Sequence, residues 1–482
     1  MAMRFAACLV LFFALIGCQP ASDEPPPLTR EQLLNPESCK DCHPKYYREW
    51  SGSMHAYAMK DPVFIAMNKR GQEETGGALG DFCVKCHAPM AVKEKAISNF
   101  ADLTAVPEHL QGVTCYFCHN AVSIGDQHFN GNIDLANDTT MRANLRKPLE
   151  PTAHGVARSD FHDGNNIKSS LMCGTCHDIV TPAPNNVHLE RTLAEYLPSF
   201  VAQQNASFQS CQSCHMRSET EQVAVSTGRE GEVTGSRDAH EHLWAAVDVP
   251  LTDFPHAAAM RSAVEECELK NSIAYLTLAR DGANPIGFKM NVETQAGHNQ
   301  PSGATQDRRL WVEVVGYDAN NNQVFSSGVV ADGALEGLPG KHPCMFRDVA
   351  RDASGAEVHM FWEVAREPTG PDSNLLPVGT KPGVPHGLQC GFQTTQPVVR
   401  FVATMRMRPI GVDVLQSLVT SGHLDPTIPA KMPTLTVTTR EFVLDPKVND
   451  FVESKVSRSD CKTYKACLLD PSAPECHLST TL

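Results

Sequence analysis

From Ile273 to Leu444 the chain is a succession of short apolar or alternating runs: Ile273 to Ala279, Phe288 to Thr294, Leu310 to Asp318, Val324 to Val330, Val358 to Ala365, Val398 to Met407 and Thr434 to Leu444. Val, Thr and aromatic residues fill them, and Gly, Pro, Asn and Asp separate them. A period of two between turn residues predicts strands with one buried face. About seven such strands predict an all-β, β-sandwich-like domain over 263–446. Val412 to Val419 shifts to a helical period and predicts a lone helix before the last strand. Past Pro446 the sequence turns polar, so 447–482 reads as a Cys-containing tail.

The first half has a different texture. Helical periodicity is confined to stretches such as Lys45 to Trp50 and Leu193 to Gln204, and alternating apolar runs are scarce. The expectation is a mainly irregular and α-helical domain over 38–262, with something other than side chains filling its core. Met1 to Arg4 is a short positive start, and Phe5 to Ile16 is an apolar run too short to span a bilayer. Together they read as a secretory signal over 1–17. Its end, Leu15-Ile16-Gly17-Cys18, resembles a bacterial lipoprotein box. That resemblance implies cleavage before Cys18, acylation of Cys18, and sorting to the outer membrane through Gln19. The alternative is an ordinary signal peptide with a coincidental Cys. Residues 18–37 would then be a lipid-anchored tether, its start small, polar and Pro-rich.

The missing core has a chemical explanation. Cys-x-x-Cys-His occurs five times: Cys39 to His43, Cys83 to His87, Cys115 to His119, Cys173 to His177 and Cys211 to His215. This is the attachment signature of c-type haem. Cys39, Cys42, Cys83, Cys86, Cys115, Cys118, Cys173, Cys176, Cys211 and Cys214 would bond five haem edges. His43, His87, His119, His177 and His215 would ligate the irons. Zinc and dithiol sites also use Cys pairs, but neither needs a His after the second Cys. With 20 His in 482 residues, about one such pair in 24 would carry one by chance. Each porphyrin is a large apolar body, so five covalently bound haems would replace much of the core.

A second His closes an iron as an electron carrier, and an open position admits a ligand. Nine other His lie in the haem segment: His55, His109, His128, His154, His162, His188, His240, His242 and His256. His55, twelve residues past His43, is the strongest candidate, and helical reach assigns it to a neighbouring haem rather than that of His43. His154 and His162 precede the fourth motif. His240 and His242 share one face if the chain there is extended, and one of them would ligate. His109, His128, His188 and His256 read as structural or solvated. His298, in a Gly/Pro-rich turn outside the segment, reads from its local context as a loop residue. Met54, Met90 and Met216 are weaker alternatives as ligands.

Haem and lipid account for eleven of 18 Cys, and Cys8 leaves with the signal. Cys267, Cys344, Cys390, Cys461, Cys467 and Cys476 remain for disulfides. Cys344 with Cys390 and a link among the tail Cys are the favoured pairings. A formal charge of -14 argues against nucleic acid and against general attraction to anionic lipid.

Several segments resemble multihaem cytochromes of the c-554/c-prime type. They are Cys39 to His43 followed by Tyr47, Trp50, Ser53 and His55; Phe82 to Pro89; Gly112 to His119; Cys173 to Asp178; and Cys211 to Met216. The resemblance implies stacked haems with largely bis-His irons. It implies distal ligation by His55, by a His in the stretch holding His154 and His162, and by His242. The second half resembles a β-domain appended to some of these cytochromes, with a Gly297-His298-x-x-Pro301-x-Gly303 turn before Arg308-Arg309-Leu-Trp311. That implies that His298 reaches back to a haem. Some members keep one five-coordinate haem, and the second motif is where it is expected here.

The leading expectation is an exported, outer-membrane-anchored pentahaem electron-transfer lipoprotein on the periplasmic or cell-surface face. Its partners would be redox proteins: a quinol-linked or periplasmic donor and other multihaem cytochromes. The membrane is reached through the lipid anchor only. The rival is an oxidoreductase with one open iron acting on a small nitrogen or sulfur compound. A third reading makes the β-domain a partner-binding module wired by the haems.

Overall fold

The computed structural model describes residues 26–145, 153–222, 224, 236–282, 284–331, 344–456 and 463–469. Cys18, the signal segment, Cys461 and Cys476 lie outside the described residues. Among the described residues no helix is long and apolar enough to cross a membrane.

The first half is built of short helices joined by two-stranded ribbons. Pro44–Ser51 begins with Pro at its first position, where a missing N–H costs nothing. Ser53 caps Met54–Tyr57, its hydroxyl accepting from the Ala56 N–H. Asp61 caps Pro62–Glu74 through the Val63 N–H at 2.9 Å. The stretch expected to be helical to Gln204 stops at Tyr196 and resumes as a turn over Phe200–Ala202. Leu197 keeps helical backbone and still donates to Leu193 O, and the helix ends at Pro198, which has no N–H to continue the ladder. The sequence pattern missed four ribbons, including Asp178–Val180 with His188–Arg191 and Ser218–Gln222 with Ser236–His240. Each is too short to show a period.

The second half is β-rich, as expected. One antiparallel sheet orders Leu388–Gln393, Asn284–Thr294 and Ile273–Asp281. A larger one runs Ser373–Asn374, Met345–Asp348, Arg309–Tyr317, Arg400–Arg408, Leu435–Asp445 and Asp450–Val456, with Gln323–Ser327 also on Arg309–Tyr317. The two sheets share a core. Phe288 from the smaller meets Phe401 and Phe451 from the larger edge-on, at centroid distances of 4.8 and 5.4 Å.

Six of the seven expected strands are present, and the sheet runs past residue 446 into Asp450–Val456. Val358 to Ala365 is not a strand. Met360 and Val364 are four apart and both buried, and the chain between them turns over Phe361–Glu363. The run packs as a loop, with Val364 against Val187, Leu189 and Ala350. The expected helix forms as Val412–Thr420. Val414, Leu415 and Leu418 pack with Val63 and Ala66 of Pro62–Glu74, so this helix fastens the β-rich half to the first half.

Cys344 and Cys390 are disulfide-bonded and tie the edge of the larger sheet to the smaller. Cys267 and Cys467 are also disulfide-bonded and buried in the same core. The Cys344–Cys390 bridge spans 46 residues, and chain-entropy arithmetic makes such a crosslink worth about 4 kcal/mol. Cys344→Ser with Cys390→Ser is expected to lower the free energy of unfolding by about 2–4 kcal/mol. Denaturant titration followed by tryptophan fluorescence reads it through Trp311, which is fully buried in the larger sheet.

Candidate functional site

Each Cys-x-x-Cys-His motif sits on a helical turn. Cys115–His119 and Cys211–His215 are single helices, and Val84–His87 is a third. Backbone bonds from His43 N to Cys39 O (2.7 Å), His87 N to Cys83 O (3.3 Å) and His177 N to Cys173 O (3.1 Å) close the same turn. Residues i, i+3 and i+4 share one helix face, so both thiols and the imidazole point the same way.

Three of the five motif imidazoles are oriented by backbone carbonyls. Nδ1 of His87 donates to Ala58 O (3.0 Å), His119 to Arg142 O (2.6 Å) and His215 to Ala245 O (3.0 Å). A carbonyl only accepts, so Nδ1 carries the proton and Nε2 keeps a lone pair. His154, His242 and His298 do the same, donating to Gly155 O (2.9 Å), His240 O (2.8 Å) and Asn299 O (2.8 Å). Burial pushes His55 and His242 down to about 3 and His177 and His298 to about 4. These four rings are therefore neutral, the form that binds metal.

The rings face one another in four pairs. Two bonds of about 2.0 Å, taken as for Zn–N, with about 1.1 Å from each nitrogen to its ring centre, put coaxial ligands roughly 6.3 Å apart. His43 and His154 lie 6.3 Å apart, His177 and His55 6.3 Å, His119 and His242 6.1 Å, and His215 and His298 6.4 Å. His55 thus faces the fourth motif and not its own. It is held by Val113 N on its carbonyl (2.9 Å) and by Trp244 against its ring (4.6 Å). Gly112 permits that approach, since a Cβ there would meet His55 O at 2.6 Å and the backbone has φ +72°.

His162 stands differently. Its ring is only 5.1 Å from that of His119, and its Nε2 sits 3.1 Å from Cys118 O. An iron has no room between those two rings, and His242 holds the opposed position. Thus the structure does not bring His162 across a motif. His87 differs again. Phe64 stacks on its ring at 4.0 Å and 6°, and no His of the described residues is among its ring contacts. Of the remaining His, His188 bonds Asp178 and His109 is exposed. His256 precedes helix Ala257–Ser262 in a left-handed conformation.

The motifs touch. Cys39 contacts Cys115, Cys86 contacts Cys176, and Cys173 contacts Cys211. Cys118 of the third motif lies near Cys173 and Cys176 of the fourth. The order is first, third, fourth, with the second and fifth both on the fourth. One connected cavity of about 1550 Å³ reaches all five motifs and all four opposed His. Tyr46, Trp50, Phe64, Phe117, Tyr196 and Trp244 are among the aromatic residues on its wall. An apolar cavity, paired thiols and opposed imidazoles at ligation spacing fit covalently bound haem c.

The β-rich half completes the cavity. His298 enters on the loop between Thr294 and Arg309, and Gln300 pairs with Leu376 in both directions at 2.9 and 2.8 Å. Ser302 bonds Glu195 at 2.6 Å and Thr192 at 2.9 Å, and Arg308 grips Asp248 with two bonds of 3.0 Å. Sequence reasoning singled out none of Phe64, Glu190, Asp248, Asp307 and Arg308 for a role. Arg308 stood only in the Arg308-Arg309-Leu-Trp311 stretch of the resemblance, with no role attached, and the others showed only charge or bulk, which is common on any surface. A separate group of ligand-type side chains, Glu357, His359 and Asp413, lies in the second half. Arg347 and Arg309 already pair with its carboxylates, leaving it a closed ion cluster.

Residues 38–120 match the family model described as cytochrome c554 and c-prime. No curated protein matches the chain. Among solved structures, a penta-heme cytochrome c552 from Thermochromatium tepidum is similar over 86% of this chain and 99% of its own. The TM-score is 0.56 and the identity 20%, a likeness of fold.

Proposed function

We propose that this chain, a multihaem c-type cytochrome, carries five haems and passes electrons between redox proteins along a branched row of closely packed, mostly bis-His irons. The observation that supports this most is the set of four His pairs at 6.1 to 6.4 Å on four different motifs. A closed iron carries electrons and binds nothing else. The cysteine contacts make the fourth haem the junction, with the first haem at one end and the second and fifth on two branches. Anchored to the outer membrane through Cys18, the chain would receive electrons from a quinol-linked or periplasmic donor and hand them to other cytochromes. Haem content by the pyridine haemochrome method tests the count: five per chain supports the reading, and four or fewer overturns it. Cys18→Ser is expected to move the mature protein from the membrane to the soluble fraction without changing its haem spectrum, read by fractionation and absorbance.

One observation favours a second reading in part. His87 is the proximal residue with no His opposite it among the described residues. An open iron there, at the end of one branch, would bind a small nitrogen or sulfur compound while the four closed irons supply or drain electrons. Binding of nitric oxide or cyanide to one iron in five supports it, and no binding leaves the protein purely a wire.

A further inference from the structure

Arg308 sits at the seam between the two halves, fully committed. Its two terminal nitrogens clasp Asp248 at 3.0 Å each, and its Nε donates to Ser302 O at 3.0 Å. Glu190, on the hairpin after the fourth motif, points at the same place. A Cβ on Gly303 would lie 3.8 Å from Arg308 Nη2 and 3.9 Å from Glu190 Oε2, so guanidinium and carboxylate flank one glycine. Asp307 precedes Arg308, and its Oδ1 is buried with no hydrogen-bond partner. Glu190, Asp248, Asp307 and Arg308 line the haem cavity together with His87, His177 and His298.

The charges here do not balance. Arg308 is matched by Asp248, and Arg309 by Asp413 at 2.7 Å. Asp178, the other carboxylate facing Glu190, bonds His188 and the Ala194 N–H. The groups acting on Asp307 are Arg309, Glu190, Arg308 and Asp413. Glu190, half-buried on the cavity wall, and buried Asp307 are left as two carboxyls that act on each other and share cations already paired. Burial is costly for an uncompensated carboxylate and is relieved by a proton. Burial accordingly raises both, each to about 7.

We propose that Glu190 and Asp307 form a proton-uptake site that couples electron entry at the haems of the second and fourth motifs to the binding of a proton. It rests on the reading that haems fill the cavity. An electron arriving from a redox partner turns one ferric iron ferrous and adds one negative charge. That charge favours the neutral acid, so one of the two carboxylates takes a proton from solvent through the cavity: Fe(III), one electron, one carboxylate and one proton give Fe(II) and one carboxylic acid. The reduced protein binds more protons than the oxidised one, so the potential falls as pH rises through the neutral range.

The test is potentiometry of the haem-loaded protein, poised with redox mediators, from pH 6 to 8, with haem content measured first. Five haems in every variant separates failure of this proposal from failure of the haem reading. The expected result is at least one haem whose equilibrium constant for reduction changes toward tenfold per pH unit, about 59 mV for one electron. In Glu190→Gln with Asp307→Asn the slope is expected to flatten at unchanged haem content. An unchanged slope overturns the proposal, as does a wild-type protein whose potentials do not move with pH. Reduced-minus-oxidised infrared spectra of the wild type need no variant. A carboxylic acid band gained on reduction supports the proposal, and its absence overturns it.

Discussion

Produced without covalent haem, the chain is expected not to hold the described residues of its first half in the fold given above. The cavity reaching the five motifs is about 1550 Å³. At about 24 cal/mol per Å³, an enclosed dry void of that size would cost on the order of 37 kcal/mol, an upper bound because this cavity is partly open to solvent. That is several times the roughly 5–15 kcal/mol by which a domain is stable. Water would recover part of this at the polar edges and little against Leu33, Phe64, Phe117 and Leu193 on the wall. The short helices of this half, many of four or five residues, have no independent stability to fall back on. The β-rich half keeps its own aromatic core and the Cys344–Cys390 bridge. Limited proteolysis of chain made in cells lacking c-type haem attachment reads this. Rapid cleavage across the first half, against resistance in the haem-loaded protein, is the expected outcome. Equal resistance would show that side chains alone sustain the fold.

The second large effect is expected at His298. His298→Gly removes the ring 6.4 Å from His215 while leaving the other three pairs intact. One iron in five should change from low to high spin, bind cyanide, and return to low spin when imidazole is added. The loop itself should stay in place, because its anchors are other residues. Gln300 pairs with Leu376, Ser302 with Glu195, and Arg308 with Asp248. Electronic absorption and EPR of the variant, with and without imidazole, measure the effect. A variant with an unchanged low-spin count would place His298 off the iron. Imidazole rescue separates a lost ligand from a displaced loop.

Covalent chemistry was legible in the sequence because it is local. Two thiols and an imidazole must share one helical turn, so spacing alone identifies them. The opposed His rings were legible as a pool and not as pairs, since tertiary packing joins residues far apart in sequence. His154 meets His43, and His55 crosses to His177. Between His154 and His162, and between His240 and His242, spacing had no means to choose; folding sets His154 opposite His43 and His242 opposite His119. Strands with one exposed face announced themselves by alternation. Met345–Asp348 is buried on both faces and carries Arg347 and Asp348 inside, so it showed no period. Glu190 and Asp307 escaped altogether, and Arg308 was quoted only as part of a resembling stretch. Their meaning lies in which charges are left unmatched after folding.

The most direct test of four closed irons and one open one is low-temperature EPR of the oxidised, haem-loaded protein with and without cyanide. Four low-spin irons untouched by cyanide and one high-spin iron that it converts, lost in His87→Ala together with its haem signal, is the result expected. Five low-spin irons indifferent to cyanide would contradict the open site at His87, and two or more high-spin irons would contradict the four pairs.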